Sequence, residues 1–423
     1  MVCERLNKDY DVLFFSKMGE DAIDAVNNSS RSLVWISDLG SGYLSRLRKD
    51  GIVITDHHVP DSSWRKGQTS LGDFNRIVHV NPHDHGYDGS SDLSGAGVTY
   101  LVAKSIDPAN TDLAYLAIVG ACGDMQDSGS GLSGINRAIL GDAVSEGNLE
   151  IKEDVRLYGR ETRPLTGFLQ YGSDPEIPGL SNEQEACAAF YARLGIPLKE
   201  GRRNRCWTDL SEEERAAATD ALLSFVREKD RERLVGETYV LTDFPRGTDR
   251  HDAKEFATLL NSCGRYDDAP TGMRICMGDE DAVKASKENR SMHKRNISGA
   301  IDHIRKNDLL KVRRYIQYFD AGGDIKDTVL GIVAGMLLNG DGAYRGLPII
   351  AFADSEDGVK VSARAERDMA GRGLDLSEVM KTAASLVGGF GGGHNVAAGA
   401  TIPEDKKEKF LDIVEDLVSA QVI

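Results

Sequence analysis

Three short runs, SLVWIS (32–37), GIVITD (51–56) and RIVHVN (76–81), constrain the fold of this chain more than any other feature. Each is β-branched or aromatic, apolar on both of its alternating faces, and bounded by polar residues. A strand that is apolar on both faces must be covered on both, and a parallel sheet flanked by helices does this. DVLFFS (11–16) has the same character and reads as another strand. GEDAIDAVNNS lies between it and the next run, while GAGVTYLVAKSI and LAYLAIVGACG follow with helical spacing. Strands alternating with helices predict an open parallel α/β sheet over residues 1–150.

The character changes after 150. RLYGRETRPL, SNEQEACAAFYARLG and LSEEERAAATDALLSFVREKDRERL read as helices and joining loops. The last of these opens on Ser-x-x-Glu, a helix-start pattern in which two side chains satisfy each other's backbone amides. These residues, 151–236, form a helical connector. From 237 a mixed pattern returns: TYVLTDF, a helix around DAKEFATLLNSCG, two strand-like runs LPIIAFADS and GVKVSARAE joined by a turn, then GGFGGGHNVAAGATI and a charged terminal helix. Residues 237–423 therefore read as a second α/β domain.

Composition narrows the function classes only a little. A chain of 423 residues holds two or three domains of ordinary size. No apolar run approaches the roughly 20 residues that span a bilayer, and the start lacks a secretory pattern. Six cysteines without paired spacing argue against a zinc knuckle or a disulfide framework and fit a reducing cytoplasm. A net charge of −16 does not look like a nucleic-acid binder. The sum conceals a basic stretch, however: residues 284–314 carry ten Lys/Arg against three acids.

The chemistry-bearing residues lie after apolar runs. Ligands of an open parallel sheet sit beyond the carboxyl ends of its strands. There stand Asp38, followed by Gly40 and Gly42, and the trio Asp56-His57-His58; Asp124 follows the apolar run AIVGACG. Carboxylates and imidazoles without thiolates suit Mn²⁺ or Mg²⁺. Two such ions hold a phosphoryl group and lower the pKa of an attacking water. In NPHDHGYDGSSDLSGAG (81–97), His83, Asp84 and His85 read more simply as a loop before a helix, with Asp92 or Ser94 near the cap. Near the other end, five glycines occupy 388–393 and precede His394. Gly391, Gly392 and Gly393 leave a backbone free to wrap an anion with its amides, and Arg364 on a nearby strand is placed to pair with phosphate.

Asp38-x-Gly, Asp56-His57-His58, GAGVTY, Gly123-Asp124 and the distal GGGH, about 330 residues beyond the paired histidines, resemble the DHH phosphoesterases with their DHH-associated domain. Within that family the chain is similar to the archaeal RecJ-like nucleases, including the GINS-associated type. The resemblance implies a two-manganese centre that hydrolyses phosphodiester bonds in single-stranded DNA or RNA during replication or repair. It implies that Asp38, His57 and Asp124 ligate metal and that His58 faces the scissile phosphate. Asp56 would orient its neighbours, and Arg364, Gly391, Gly392, Gly393 and His394 would hold the strand. GINS and the replicative helicase become expected partners. A catalytically impaired scaffold, or a phosphodiesterase for short oligonucleotides or cyclic dinucleotides, are the alternatives. The family's Asp-rich first motif is expected before DVLFF and is not in this sequence; Asp9 and Asp11 precede a strand-like run instead of following one. A weak single-metal site is the expectation for residues 1–423 as they stand.

Overall fold

The computed structural model describes residues 1–61, 77–172, 174–266, 268–338 and 343–422. They form two compact units, one of Met1–Gly264 with Asp268–Val283, the other of Arg265–Asp267 with Lys284–Ile423.

In the first unit, α1 (Glu20–Asn27) precedes β1 (Val34–Ser37), β2 (Ile52–Thr55) and β3 (Ile77–Val80). The strands lie in the order β1-β2-β3, both pairs parallel, as the apolar runs predict. Ala22, Ile23 and Val26 share one face of α1 and are buried with Ile36, Ile52, Ile54 and Ile77 of the sheet. Then come α2 (Gly95–Ile106), α3 (Ala114–Gly123) and α4 (Gly134–Glu146), whose Val98, Ile118, Val119, Ile139 and Leu140 form a second core. Ser94 caps α2 by accepting from the Gly97 amide.

DVLFFS is not a strand. Residues 11–15 are irregular, and Val12, Leu13, Phe14 and Phe15 are exposed. A strand needs a neighbour to accept its ladder, and none of the described residues pairs with this segment. Its β-branched and aromatic composition supplies local preference only. Asp9 and Asp11 both bind Arg31, at 2.8 and 2.5 Å, and so are engaged away from the strand ends.

The connector has its own core. β4 (Leu149–Val155) leads to α5 (Leu165–Gln170), α6 (Gln184–Arg193) and α7 (Glu212–Leu223), and the chain returns as β5 (Val235–Leu241). Phe168, Trp207, Tyr191 and Phe190 fill its centre, with the Phe168 and Trp207 rings stacked 5.0 Å apart. The Ser211–Glu214 capping box at α7 forms as the sequence predicts. β5 pairs antiparallel with β4 along seven residues. That pairing keeps β5 and α8 (Ala253–Arg265) with the first unit, so the division falls near 284, beyond the 237 expected from sequence. Buried Arg160 strengthens it by binding Asp154 of β4 at 2.6 Å and Asp252 before α8 at 3.0 Å.

The basic stretch belongs to α9 (Glu280–Lys306) and the residues after it. In the second unit, β6 (Lys311–Val312), β7 (Gln317–Asp320), α10 (Asp327–Leu338), β8 (Ile349–Ser355), β9 (Gly358–Arg364), α11 (Leu376–Leu386), β10 (Phe390–Gly393), β11 (Ala397–Ile402) and α12 (Lys407–Val422) follow. They make one mixed sheet in the order β10-β11-β9-β8-β7-β6. The β8–β9 hairpin turns at Ser355–Gly358, as its sequence predicts. α10 covers one face and α11 with α12 the other, each with its own buried cluster.

Candidate metal centre

β1 and β2 end side by side, and the residues after them face each other because the strands are parallel and in register. Asp38 takes φ +63°, in the left-handed region that Asp tolerates better than most residues, and its amide donates to the Thr55 carbonyl at 2.8 Å. This turns its carboxylate over the first residue of α2. A Cβ at Gly95 would overlap the Asp38 carboxylate, so the glycine is what admits it.

His57 is the hub. Its Nε2 lies 3.2 Å from Asp38 Oδ1 and 3.9 Å from Asp124 Oδ2. Its Nδ1 lies 2.6 Å from the Gly89 carbonyl, which can only accept. The hydrogen therefore sits on Nδ1, and the Nε2 lone pair is turned toward the two carboxylates. Gly89 O also accepts from Gln126 Nε2 at 2.9 Å, and Gln126 is held in turn by Asn136 at 2.6 Å. Without a cation, Nε2 takes a proton instead: burial opposes the charge, but Asp38, the Gly89 carbonyl and Asp124 raise the His57 pKa to about 9. Burial and the nearby Asp38 push the Asp124 carboxyl up to about 6. Two carboxylates that face an imidazole lone pair are a donor set of the kind a divalent cation takes.

Asp56 plays a different part. Only 1% of its side chain is exposed, and it accepts from the amides of Ser41, His57 and His58 at 2.9, 2.8 and 3.2 Å. His58 Nδ1 donates to it at 2.7 Å. Burial alone would raise its pKa; His58 and Ser41 outweigh burial and hold it well below the ordinary carboxylate range. Asp38, Asp56, His57 and His58 offer ligand atoms within 4.8 Å of one another. Asp56 spends its oxygens on these four donors, an arrangement that fixes the backbone and the His58 ring around it. His58, pinned at Nδ1 and half exposed, has no hydrogen-bond partner at Nε2 among the described residues; the Asp56 hydrogen bond raises its pKa despite burial.

The structure brings Asp38, Asp56, His57, His58 and Asp124 together. Asp124 is the C-cap of α3, the buried helix that the spacing of LAYLAIVGACG predicts. Gly89, Gly95 and Gln126 escaped sequence reasoning. The GAG at the start of α2 was the one available signal, since glycine at a helix start is unneeded for helix formation.

The second unit corrects another expectation. Gly391–Gly393 are not a wrapping loop but most of β10, paired with Ala400, Gly399 and Ala398. A Cβ on Gly391 would come within 2.5 Å of the Met380 carbonyl, so this glycine lets α11 approach the sheet. Gly393 turns at φ +138°, and exposed His394 donates its amide to Ala397 O. Arg364 pairs in register with Ala397, and its guanidinium lies over Gly331 of α10, where a Cβ would overlap it. Arg364, Gly393 and His394 therefore share one end of the sheet. Burial lowers the Arg364 pKa, and its hydrogen bonds among the described residues go to the Ala363 and Ala398 carbonyls.

Comparison with known proteins follows this division. Residues 157–233 match the DHH-CID domain, and residues 313–420 match the DHHA1 domain. An uncharacterised protein of Methanocaldococcus jannaschii is 29% identical over 427 residues, spanning 99% of this chain and 88% of the relative. The crystal structure of RecJ in complex with Mn²⁺ from Thermus thermophilus is similar at a TM-score of 0.53 and 17% identity, over 99% of this chain and 49% of that one. CDC45 from Entamoeba histolytica is similar at a TM-score of 0.59 and 11% identity, over 95% and 87%. The chain thus spans about half the length of the RecJ chain it matches, and at these identities the two structures share its fold. Among the described residues no helix is long and apolar enough to cross a membrane.

Proposed function

On the premise that the chain is a DHH-family protein with a RecJ-like fold, we propose that it hydrolyses phosphodiester bonds in single-stranded nucleic acid with divalent cations, as an exonuclease of archaeal replication or repair. The observation that carries this reading is the convergence of Asp38 and Asp124 on the lone pair of His57 Nε2. These three residues would hold a divalent ion, Mn²⁺ or Mg²⁺, by the oxygen and nitrogen donors such ions take. When bound, the cations offset phosphate charge and lower the pKa of the attacking water. His58 presents a protonated Nε2, held by Asp56, that donates to a phosphate oxygen as charge builds there. Asp56 keeps both imidazoles in register through its hydrogen bonds.

In the second unit, His394, the outer amides of Gly391–Gly393 and Arg364 would bind the strand's phosphates. An edge strand offers unpaired amides at every other residue, and an arginine without a carboxylate partner suits a phosphate. GINS and a replicative helicase would be its partners in the cell.

The test is hydrolysis of an end-labelled single strand by the purified chain with and without Mn²⁺, beside His57→Ala. Feeble metal-dependent release of short products, as a site lacking the first motif allows, lost in the variant, is the expected result. Cleavage that persists in His57→Ala would reject the site. His394→Ala should weaken strand binding while Mn²⁺ affinity stays unchanged; equal strand affinity would reject the role of the second unit.

A further inference from the structure

The run Gly159-Arg160-Glu161-Thr162-Arg163 is densely polar, and all but one of its functional groups are spent inside the fold. Arg160 joins Asp154 to Asp252. The Glu161 amide donates to Glu255 Oε1 at 2.7 Å, and the Thr162 hydroxyl donates to Glu255 Oε2. Glu161 Oε2 accepts from the Gly247 amide at 2.7 Å and the Thr208 hydroxyl at 3.2 Å. Arg163 is the exception. Among the described residues it makes no ion pair, and its one side-chain hydrogen bond, to Tyr171 O, is 3.5 Å long.

The protein nevertheless builds a place for it. Gly159 has φ +98°, and a Cβ there would overlap the Arg163 stem, so the side chain lies along bare backbone. The guanidinium carbon sits 4.5 Å from the Tyr158 ring centroid and 5.6 Å from that of Tyr171. The Tyr171 ring rests on Gly167 of α5, where a Cβ would meet it at 3.7 Å, and 51% of the residue stays exposed. The nearby Glu255 does not neutralise the arginine. Burial and Asp252 push the Glu255 carboxyl up to about 8, so it is protonated near pH 7. A cation stacked on two tyrosines, desolvated and without an ion pair among the described residues, suits an anion that also has a flat face.

We propose that Tyr158, Arg163 and Tyr171 form a stacking platform for a base and its phosphate in a single strand that extends beyond the metal centre. The proposal rests on the reading that the substrate is such a strand. Its location follows from α8. Tyr158 sits beside Thr258, which shares a helix face with Asn261 three residues on. Asn261 faces Gly123, the residue before Asp124, where a Cβ would lie 3.7 Å from Asn261 Nδ2. One turn of α8 thus links the platform to the metal centre along a surface on which Asn261 is exposed. Aromatic and guanidinium faces accept any base, because every base has a π face, whereas an acidic peptide would supply charge without a ring.

The experiment measures binding of a fluorescent thymidine 12-mer and a thymidine dinucleotide to the full chain in EDTA, which prevents hydrolysis. Tyr171→Ala and Arg163→Gln should each weaken the 12-mer about 5- to 100-fold, the range of a lost base stack. Tyr171→Phe, which keeps the ring, should bind the 12-mer like the parent, and the dinucleotide should bind all four proteins alike. Parent-like 12-mer affinity in Tyr171→Ala and Arg163→Gln, with reduced thermal stability, would mean that the stack only braces the fold, and would overturn the platform while leaving the nuclease reading intact. A parent chain that binds no 12-mer would overturn both.

Discussion

At the scale of single residues, the centre depends on atoms that bind nothing. His57→Ala or Asp124→Asn should each weaken Mn²⁺ binding by about 100-fold, measured by isothermal titration, since each removes one of the three proposed donors. Gly95→Ala removes no donor, yet its methyl group would overlap the Asp38 carboxylate. Its Mn²⁺ affinity should fall about 10-fold or more, as for loss of an outer-shell support, with the far-ultraviolet circular dichroism unchanged. Parent-like metal affinity in Gly95→Ala would show that Asp38 has room to move aside. Legibility in the sequence splits along the same line. Asp38, Asp56, His57 and His58 stand right after apolar strands, and their chemistry is visible in their names. Gly89 and Gly95 act through a carbonyl and a missing side chain, and nothing in a glycine's identity says which carboxylate or imidazole it makes room for.

At the scale of elements, pairing decides what composition only suggests. DVLFFS has the composition of a strand and finds no ladder partner among the described residues, while FGGG has the composition of a loop and forms β10 because β11 lies beside it. Glycine is depleted in strands, so this one is invisible to local propensity. Its individual glycines are separable. Gly391→Ala should cost about 1–3 kcal/mol, the range for overpacking, because the methyl group meets the Met380 carbonyl; Gly392→Ala has open space and should melt within a degree or two of the parent. Differential scanning calorimetry of the pair checks this, and equal melting would remove the packing role of Gly391. A second element-scale prediction concerns Glu255, which joins the loop 159–163 to α8. Its folded pKa, about 8, lies above its value in the unfolded chain, about 4.5. Its contribution is therefore complete below about pH 4.5 and lost as pH rises toward about 8, since the unfolded chain releases the proton first. Glu255→Gln keeps an acceptor for the Glu161 amide and cannot ionise. Its urea midpoint should gain on the parent as pH rises from 5 to 8.5; parallel curves would contradict a protonated Glu255.

At the scale of the whole molecule, the proposed metal ligands all lie in the first unit and the glycine strand in the second, and each unit has cores of its own. Mn²⁺ at about 100 times its dissociation constant should stabilise the unit that binds it by about 2.7 kcal/mol. Hydrogen exchange should then slow in β2, α2 and α3 and stay unchanged in β8, β9 and β11. Uniform slowing across both units would show that they unfold together. The alternation of strand and helix made the parallel sheet foreseeable, yet it could not reveal that β5 returns to β4, because a register between residues 80 to 92 positions apart leaves no local trace. The bare edge of β10 carries a further consequence. Its glycines offer main-chain groups at every other residue and no side chains, and main chain is the same in every protein. Such an edge has no alphabet: binding a polymer as proposed, it would count the repeat and could not spell the bases. Nor can evolution tune its preference by exchanging side chains, because every substitution adds bulk before it adds meaning. A protein built this way would accept a strand of any sequence and would have to take its selectivity from elsewhere.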